Sequence, residues 1–402
     1  GPPPHLGSDR QPEEIRIRTA CLGDGHAGQA LYFGYLHQAC GGEGRAGTGI
    51  TLLDRAIEAV SSQRMGPTLY TGFPGIAWAA NHLAGRLYPQ AEEDPYRETD
   101  DLLHDYIRRI PWPFHLGVID GLAGIGVYAL ERLPRPSARR CLEAVVDRLE
   151  EVSERRTPGV AWVTPPEIED AYWRRQRPRG SYDLGLAHGI PGVVALLAAL
   201  CEADVARAKA GPLLEAAVPW ILDQSLPPGS PSRFPNWHIP EKPPAGSRLA
   251  WCYGDLGVAT SLLWAAAVTG RTDWLTEALA TARAAGRRPM EHSGVWDACI
   301  CHGMAGVAHI FNRLHQASGD EALAEAALYW YEKLLEARTP GQGYGGYLFE
   351  RSDGQTRTWA EDPGFLGGTA GVGLALLAAT TAVEPGWDRA LLTCIPPIIP
   401  KA

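Results

Sequence analysis

Cys252, Cys301 and His302 have the residue types and the spacing of a metal site. Two thiolates and an imidazole are a standard ligand set for zinc, whose structural sites close with four protein ligands and whose catalytic sites keep a position open. No fourth protein ligand accompanies them, so the set reads as one Zn2+ per chain with water or a substrate thiolate as fourth ligand. Cys301 and His302 are adjacent, and neighbours point apart on a regular helix or strand. Both reach one ion only where the backbone is still turning, as the glycine at 303 permits. Cys299 is close enough to compete as a ligand, and the plain alternative for all of these thiols is buried packing. An open zinc position either activates water or holds a substrate thiol as the nucleophilic thiolate. Donation from two sulfurs blunts the Lewis acidity that water activation needs and favours the second.

The register of these residues is repetitive. Seven Gly-x-x-Gly elements, DGHAG, TGFPG, DGLAG, HGIPG, YGDLG, HGMAG and GGTAG, begin at Gly25, Gly72, Gly121, Gly189, Gly254, Gly303 and Gly368, at intervals of 47, 49, 68, 65, 49 and 65. Such quasi-regular recurrence marks a repeat architecture. Cys252 and Cys301 each stand two residues before their glycine. His188, Tyr253 and His302 each stand one residue before theirs.

Each element opens a small-residue-rich run such as VVALLAAL or VATSLLWAAA, apolar nearly all round, the mark of a helix buried on every side. A second helix follows with one apolar stripe and a charged face, as in the run from Ser137, where the serine is read as the N-cap, or the run from Asp273. Asp24, before the first glycine, is likewise read as a cap. Seven inner helices with seven outer partners, the last a short one near Ala390, define an all-α fold, an α/α toroid of two concentric layers. Each hairpin needs neighbours on both sides, so residues 11–402 are expected to form one domain. The first ten residues, opening Gly1-Pro2, read as a tag remnant. Glycine serves a sharp entry into a packed helix through positive φ or close backbone approach. The long links at about 157–183 and 226–248 are where function is expected to concentrate.

Composition excludes several classes of function. The chain is 45% hydrophobic and 21% charged, with no apolar run approaching the length of about 18 residues that marks a membrane span, so it reads as a soluble globular protein. A net charge of -9 offers nothing to a phosphate backbone, which argues against nucleic acid as a partner. Eight cysteines in 402 residues are too few for a disulfide scaffold and suit a reducing cytoplasm.

With the repeats, WCYGDLG, CHGMAG and GLAHGIPG together, the chain resembles the lanthionine synthetase C-like family, the LanC cyclases, from about Cys21 to the last glycine turn. Its length without a dehydratase region is similar to the stand-alone class I type. The resemblance implies a zinc-dependent cyclase that adds precursor-peptide cysteine thiols to dehydroalanine or dehydrobutyrine, forming lanthionine or methyllanthionine. It implies a dehydrated precursor peptide as substrate, with a dehydratase and an exporter as partners and membrane association through their complex. The family's zinc ligands fall on Cys252, Cys301 and His302, and its acid/base histidine on His188. Its site-lining residues fall on Arg248 and Tyr253, as catalytic groups, and on Trp251, as a substrate contact. Physical chemistry agrees: Michael addition places negative charge on an amide oxygen, which Arg248 can stabilise, and leaves an α-carbon for His188 to protonate. The sequence departs from the family at Gly117, where the aspartate that orients the histidine would fall. Asp120, at a neighbouring register, is a candidate on the substrate side.

Other features have plainer readings. Arg174, Arg175, Arg177 and Arg179 form a basic cluster that would suit an acidic leader peptide but reads more simply as a solvated charge run. Trp237, Trp251 and Trp296 lie near the predicted mouth. Two rival functions use a similar frame: a zinc-bearing peptide or thiol binder that cyclises nothing, and a zinc-thiolate prenyltransferase, which would need an aspartate ligand and a diphosphate-binding basic cluster.

Overall fold

The computed structural model describes residues 17–112, 114–352 and 356–398. The first ten residues, read as a tag remnant, lie outside these. Each glycine element opens a helix: α1 (His26–Cys40), α3 (Phe73–Leu83), α5 (Leu122–Glu131), α8 (Ile190–Glu202), α10 (Asp255–Thr269), α12 (Met304–Ser318) and α14 (Thr369–Thr380). The intervening helices are α2 (Glu43–Ser62), α4 (Arg97–Ile107), α6 (Pro136–Glu151), α9 (Arg207–Asp223), α11 (Thr272–Gly286) and α13 (Glu321–Glu336), with a short α7 (Ala171–Gln176) in a long link. The short seventh partner expected near Ala390 is a 3-10 turn, Gly386–Leu391.

Close approach, more than unusual dihedrals, explains the glycines. Gly189 is the N-cap of α8 with extended φ of -139°, a conformation open to any residue. A Cβ there would collide with the carbonyl oxygen of Asp183, six residues upstream, and one on Gly192 would collide with that of Leu186, again six upstream. The loop doubles back onto the helix entry, and the space for a side chain is taken by its own backbone. Gly254 adds a left-handed φ of +96° to the same crowding.

Contacts divide the chain into two compact units, the division running through α12 and α13. The first comprises Gly1–Pro95, Trp296–His309 and Leu328–Trp387; in it α1 packs against α2, α3 and α14. The second comprises Tyr96–Val295, Ile310–Ala327 and Asp388–Ala402; in it α8 packs against α5, α9 and α10, and α10 against α11. The two helix types differ as their sequences require. Every residue of α8 from Ile190 to Cys201 is buried, whereas α6 buries Ala138, Cys141, Leu142, Val145, Val146 and Leu149 along one stripe.

Two expected caps have other employment. Pro136 is the first residue of α6 and Arg135 its uncapped N-cap, so Ser137 lies inside the helix and its hydroxyl donates to buried Asp100 at 2.6 Å. Tyr128 (2.7 Å) and Arg132 (3.1 Å) also donate to Asp100. Gly25 caps α1 without side-chain help, and Asp24 pairs with Arg18.

Short strand pairs organise the long links. β1 (Glu154–Arg155) pairs with β2 (Val160–Ala161), β3 (Tyr182–Asp183) with β4 (Trp237–His238), and β5 (Phe349–Ser352) with β6 (Arg357–Ala360), all antiparallel. The second matters most for function. It sets Asp183 opposite Trp237 and so ties the 226–248 link to the loop that carries His188.

Candidate functional site

The second unit holds Cys252 and the proton-handling candidates. Cys252 is buried, and the guanidinium of Arg248, four residues earlier, reaches its sulfur at 3.6 Å. The amide of Leu249 donates to the Ser293 carbonyl at 2.8 Å, and Gly294, at φ +71°, leaves room for the Arg248 side chain that a Cβ would crowd at 2.7 Å. Trp251, expected as a substrate contact, is fully buried, and its indole N–H donates to the Leu391 carbonyl at 2.8 Å.

His188 is held from its backbone. The amides of Val118 and Ile119 both donate to the carbonyl of Ala187, at 2.8 and 3.1 Å, and the Ala187 amide donates to the Cys252 carbonyl at 3.4 Å. The imidazole is stacked on Tyr253, with ring centroids 5.1 Å apart and planes 17° from parallel. The Tyr253 hydroxyl donates to Oδ2 of Asp183 at 2.8 Å, and Trp237 Nε1 donates to the same oxygen at 3.0 Å. Oδ1 of Asp183 accepts the amide of Gly185 at 2.7 Å.

Burial raises the Asp183 carboxyl above the ordinary aspartate range, opposed by the charge of His188, the Gly185 amide, the Tyr253 hydroxyl and Arg177. Burial, then the Asp183 charge, pushes the Tyr253 phenol well above its usual value, so its proton stays on and points at Asp183. Tyr253, read from the sequence as catalytic, thus has its hydroxyl engaged by the protein.

The first unit holds Cys301 and His302 within a tight turn, closed by the Gly303 amide on the Cys299 carbonyl at 3.1 Å. The backbone is turning here, as ligation by two adjacent residues requires. Asp297 is buried. It accepts the Cys299 amide at 3.0 Å and the Glu350 amide at 3.2 Å, and its Oδ2 lies 4.0 Å from Nε2 of His302. A carboxylate beside a ligand histidine is the usual second partner that fixes the ring in metal sites. Asp297, Cys299 and His302 are themselves close enough to hold an ion. Burial raises the Cys299 thiol, and its sulfur accepts the His302 amide at 3.4 Å.

Asp183, Asp297 and Asp362 share one register, six residues before Gly189, Gly303 and Gly368, and each accepts the amide two residues on. Sequence reasoning missed all three because the repeats were compared only over the few residues nearest the glycine. Extending that comparison to the sixth position would have found them. Asp120, by contrast, is half-buried, with no hydrogen bond or ion pair among the described residues.

The basic cluster is largely consumed by the fold. Arg174 donates to the carbonyls of Pro166, Glu167 and Glu169, and Arg179 pairs with Glu241. Arg177 is buried, pairs with Glu169 at 3.0 Å, and lies over the rings of Trp173 and Trp237. Buried Arg177 departs from the solvated charge run read from the sequence, and the cluster's partners lie within the fold.

Among the described residues no helix is long and apolar enough to cross a membrane. No curated protein matches the sequence. In fold the chain is similar to nisin cyclase, at 18% identity with a TM-score of 0.76, over 94% of this chain and 93% of that one. That likeness gives it the all-α, α/α-toroid fold class read from its repeats. A sugar epimerase from a ruminal bacterium (11% identity, covering 91% and 88% of the two chains, TM-score 0.46) and a D-mannose isomerase (10%, 76% and 86%, 0.45) are more distant. The family model described as Lanthionine synthetase C-like protein matches residues 17–392, and the chain belongs to that family.

Proposed function

We propose that the protein is a zinc-dependent lanthipeptide cyclase acting on a dehydrated precursor peptide. One observation carries the reading: Cys252, Cys301 and His302, at the last two positions before their glycines in a lanthionine synthetase C-like chain, are the residue types that hold zinc. Soft thiolates with imidazole suit zinc, and three ligands leave a position open. A zinc ion held by these residues would keep a peptide thiol deprotonated near neutral pH.

The remaining chemistry falls to the protein's own side chains. The peptide sulfur bonds to the β-carbon of the dehydroamino acid, the alkene π bond breaks, and its electron pair moves toward the α-carbon and the amide oxygen. The thiol has lost one proton and the α-carbon gains one, so the product has the mass of the reactant. Arg248 supplies positive charge for the amide oxygen, and His188 supplies the proton. Tyr253 holds the imidazole plane. A dehydratase that makes the substrate and an exporter that removes the product are the natural partners, and a cytoplasmic setting, with membrane association through their complex, suits free thiols.

The test is to give the zinc-loaded protein a dehydrated, uncyclised precursor and follow free thiol and mass. Loss of thiol at constant mass is expected. Peptide binding with every thiol retained would replace the enzyme by the binder.

A further inference from the structure

The register at which the family resemblance expects an aspartate admits no side chain in this fold. A Cβ on Gly117 would lie 2.6 Å from the α-carbon of His188, 2.7 Å from its carbonyl oxygen and 2.8 Å from that of Ala187. The histidine's own backbone fills the space. Asp120 forms no bond among the described residues, so the imidazole must take its orientation from elsewhere.

We propose that Asp183 is the positioning residue of this site, acting on His188 through Tyr253; the assignment rests on the cyclase reading above. Asp183 divides its two oxygens. Oδ1 closes the turn on Gly185, as the equivalent oxygens of Asp297 and Asp362 close theirs on Cys299 and Gly364. The second oxygen distinguishes the three. That of Asp297 takes the Glu350 amide, that of Asp362 takes Arg351, and that of Asp183 takes two aromatic donors, Tyr253 and Trp237.

Two donors converging on one buried oxygen fix the Tyr253 ring in its plane, and the imidazole lies flat on that ring. The acceptor count makes the identity specific. Three N–H or O–H groups point at this side chain, a carboxylate has two oxygens to receive them, and an amide has one. Orientation of a general acid is worth rate only when it is fixed before the substrate arrives. Asp183 therefore does for this histidine what a directly bonded carboxylate does elsewhere, at one remove.

The experiment compares Asp183→Asn with Asp362→Asn, which disturbs the same turn in another repeat. For Asp183→Asn, zinc content and KM are expected to stay near wild type while kcat for cyclisation falls about 10- to 100-fold, as is typical of supporting residues. Asp362→Asn is expected to keep kcat within about twofold while losing similar thermal stability, since it shares only the turn contact. Equal kcat in the two variants overturns the proposal. If Asp183→Asn does not fold, Tyr253→Phe decides: it keeps the ring, removes the hydroxyl and is expected to lower kcat to a similar degree, and a wild-type kcat overturns the proposal. His188 ring-proton NMR without substrate separates this idea from the cyclase reading. Its signals should move toward unstacked values in the decisive variant. Unmoved signals overturn the positioning role even if the wild-type protein cyclises nothing, and moved signals in an inactive protein uphold it while the cyclase reading falls.

Discussion

Six residues before its glycine the fourth repeat has Asp183 and the sixth has Asp297; one residue before, they have His188 and His302. In both turns the aspartate accepts the amide two residues on, and the glycine amide closes on the carbonyl four residues back. The fillings differ. Where the fourth repeat has Gly185 and Ala187, the sixth has Cys299 and Cys301. The Ala187 carbonyl is spent on two amides that clamp His188, and the second oxygen of Asp183 serves an aromatic pair. In the sixth turn a thiol occupies the position two before the glycine and the aspartate lies beside the histidine that follows it. On the function proposed above, one backbone frame serves a proton-handling imidazole in one repeat and a metal-ligating one in another, and the residue two before the glycine separates the two uses.

Changing that residue should have the largest effect. Cys301→Ala gives the sixth turn the alanine of the fourth, and it is expected to abolish stoichiometric zinc and bring cyclisation to background. Metal analysis of the purified variant checks this. One tightly bound zinc per chain would move the site to Asp297, Cys299 and His302, the neighbouring donor set in the same turn.

The histidine of the fourth turn comes next. His188→Asn is expected to keep zinc and KM while slowing cyclisation by about 10²- to 10⁴-fold, the usual worth of a positioned general acid. A wild-type rate would mean that proton delivery comes from solvent. The split between zinc content and kcat is the sharp part of the comparison, because Cys301 should control both and His188 only one.

The elements of this comparison were not equally legible. Seven glycine turns stood out because their cause, a loop carbonyl packed where a side chain would be, recurs at every helix entry and tolerates one residue type. The proposed ligands were easy to single out because they stand within two residues of those glycines. Asp183 lies beyond that window, and its partner Trp237 is brought to it by the β3–β4 pair, a two-residue pairing across more than fifty positions that no local pattern announces. The direction of Trp251 was illegible for a related reason. Adjacency to Cys252 says nothing of which way an indole points, and this one points to Leu391. The arginines after Trp173 were ambiguous because backbone carbonyls, the acceptors that occupy Arg174, have no signature in sequence.

The smallest expected effect is on stability against pH, and it isolates the burial of Asp183. Its folded carboxyl holds a proton to higher pH than the unfolded chain's ordinary value of 3.8, with burial as the main cause. Over the window above 3.8 the folded state therefore binds more protons than the unfolded one, and the contribution of this carboxyl to stability declines as pH rises through its folded value. Asparagine at 183 does not titrate. The stability of wild type minus that of Asp183→Asn, from denaturant unfolding at a series of pH values, should shrink as pH climbs from 3.8 and then level off. A difference that grows over the same window would show that His188 and the three donors outweigh desolvation. The fourth turn would then be an electrostatic trap for its carboxylate, as well as a frame for its histidine.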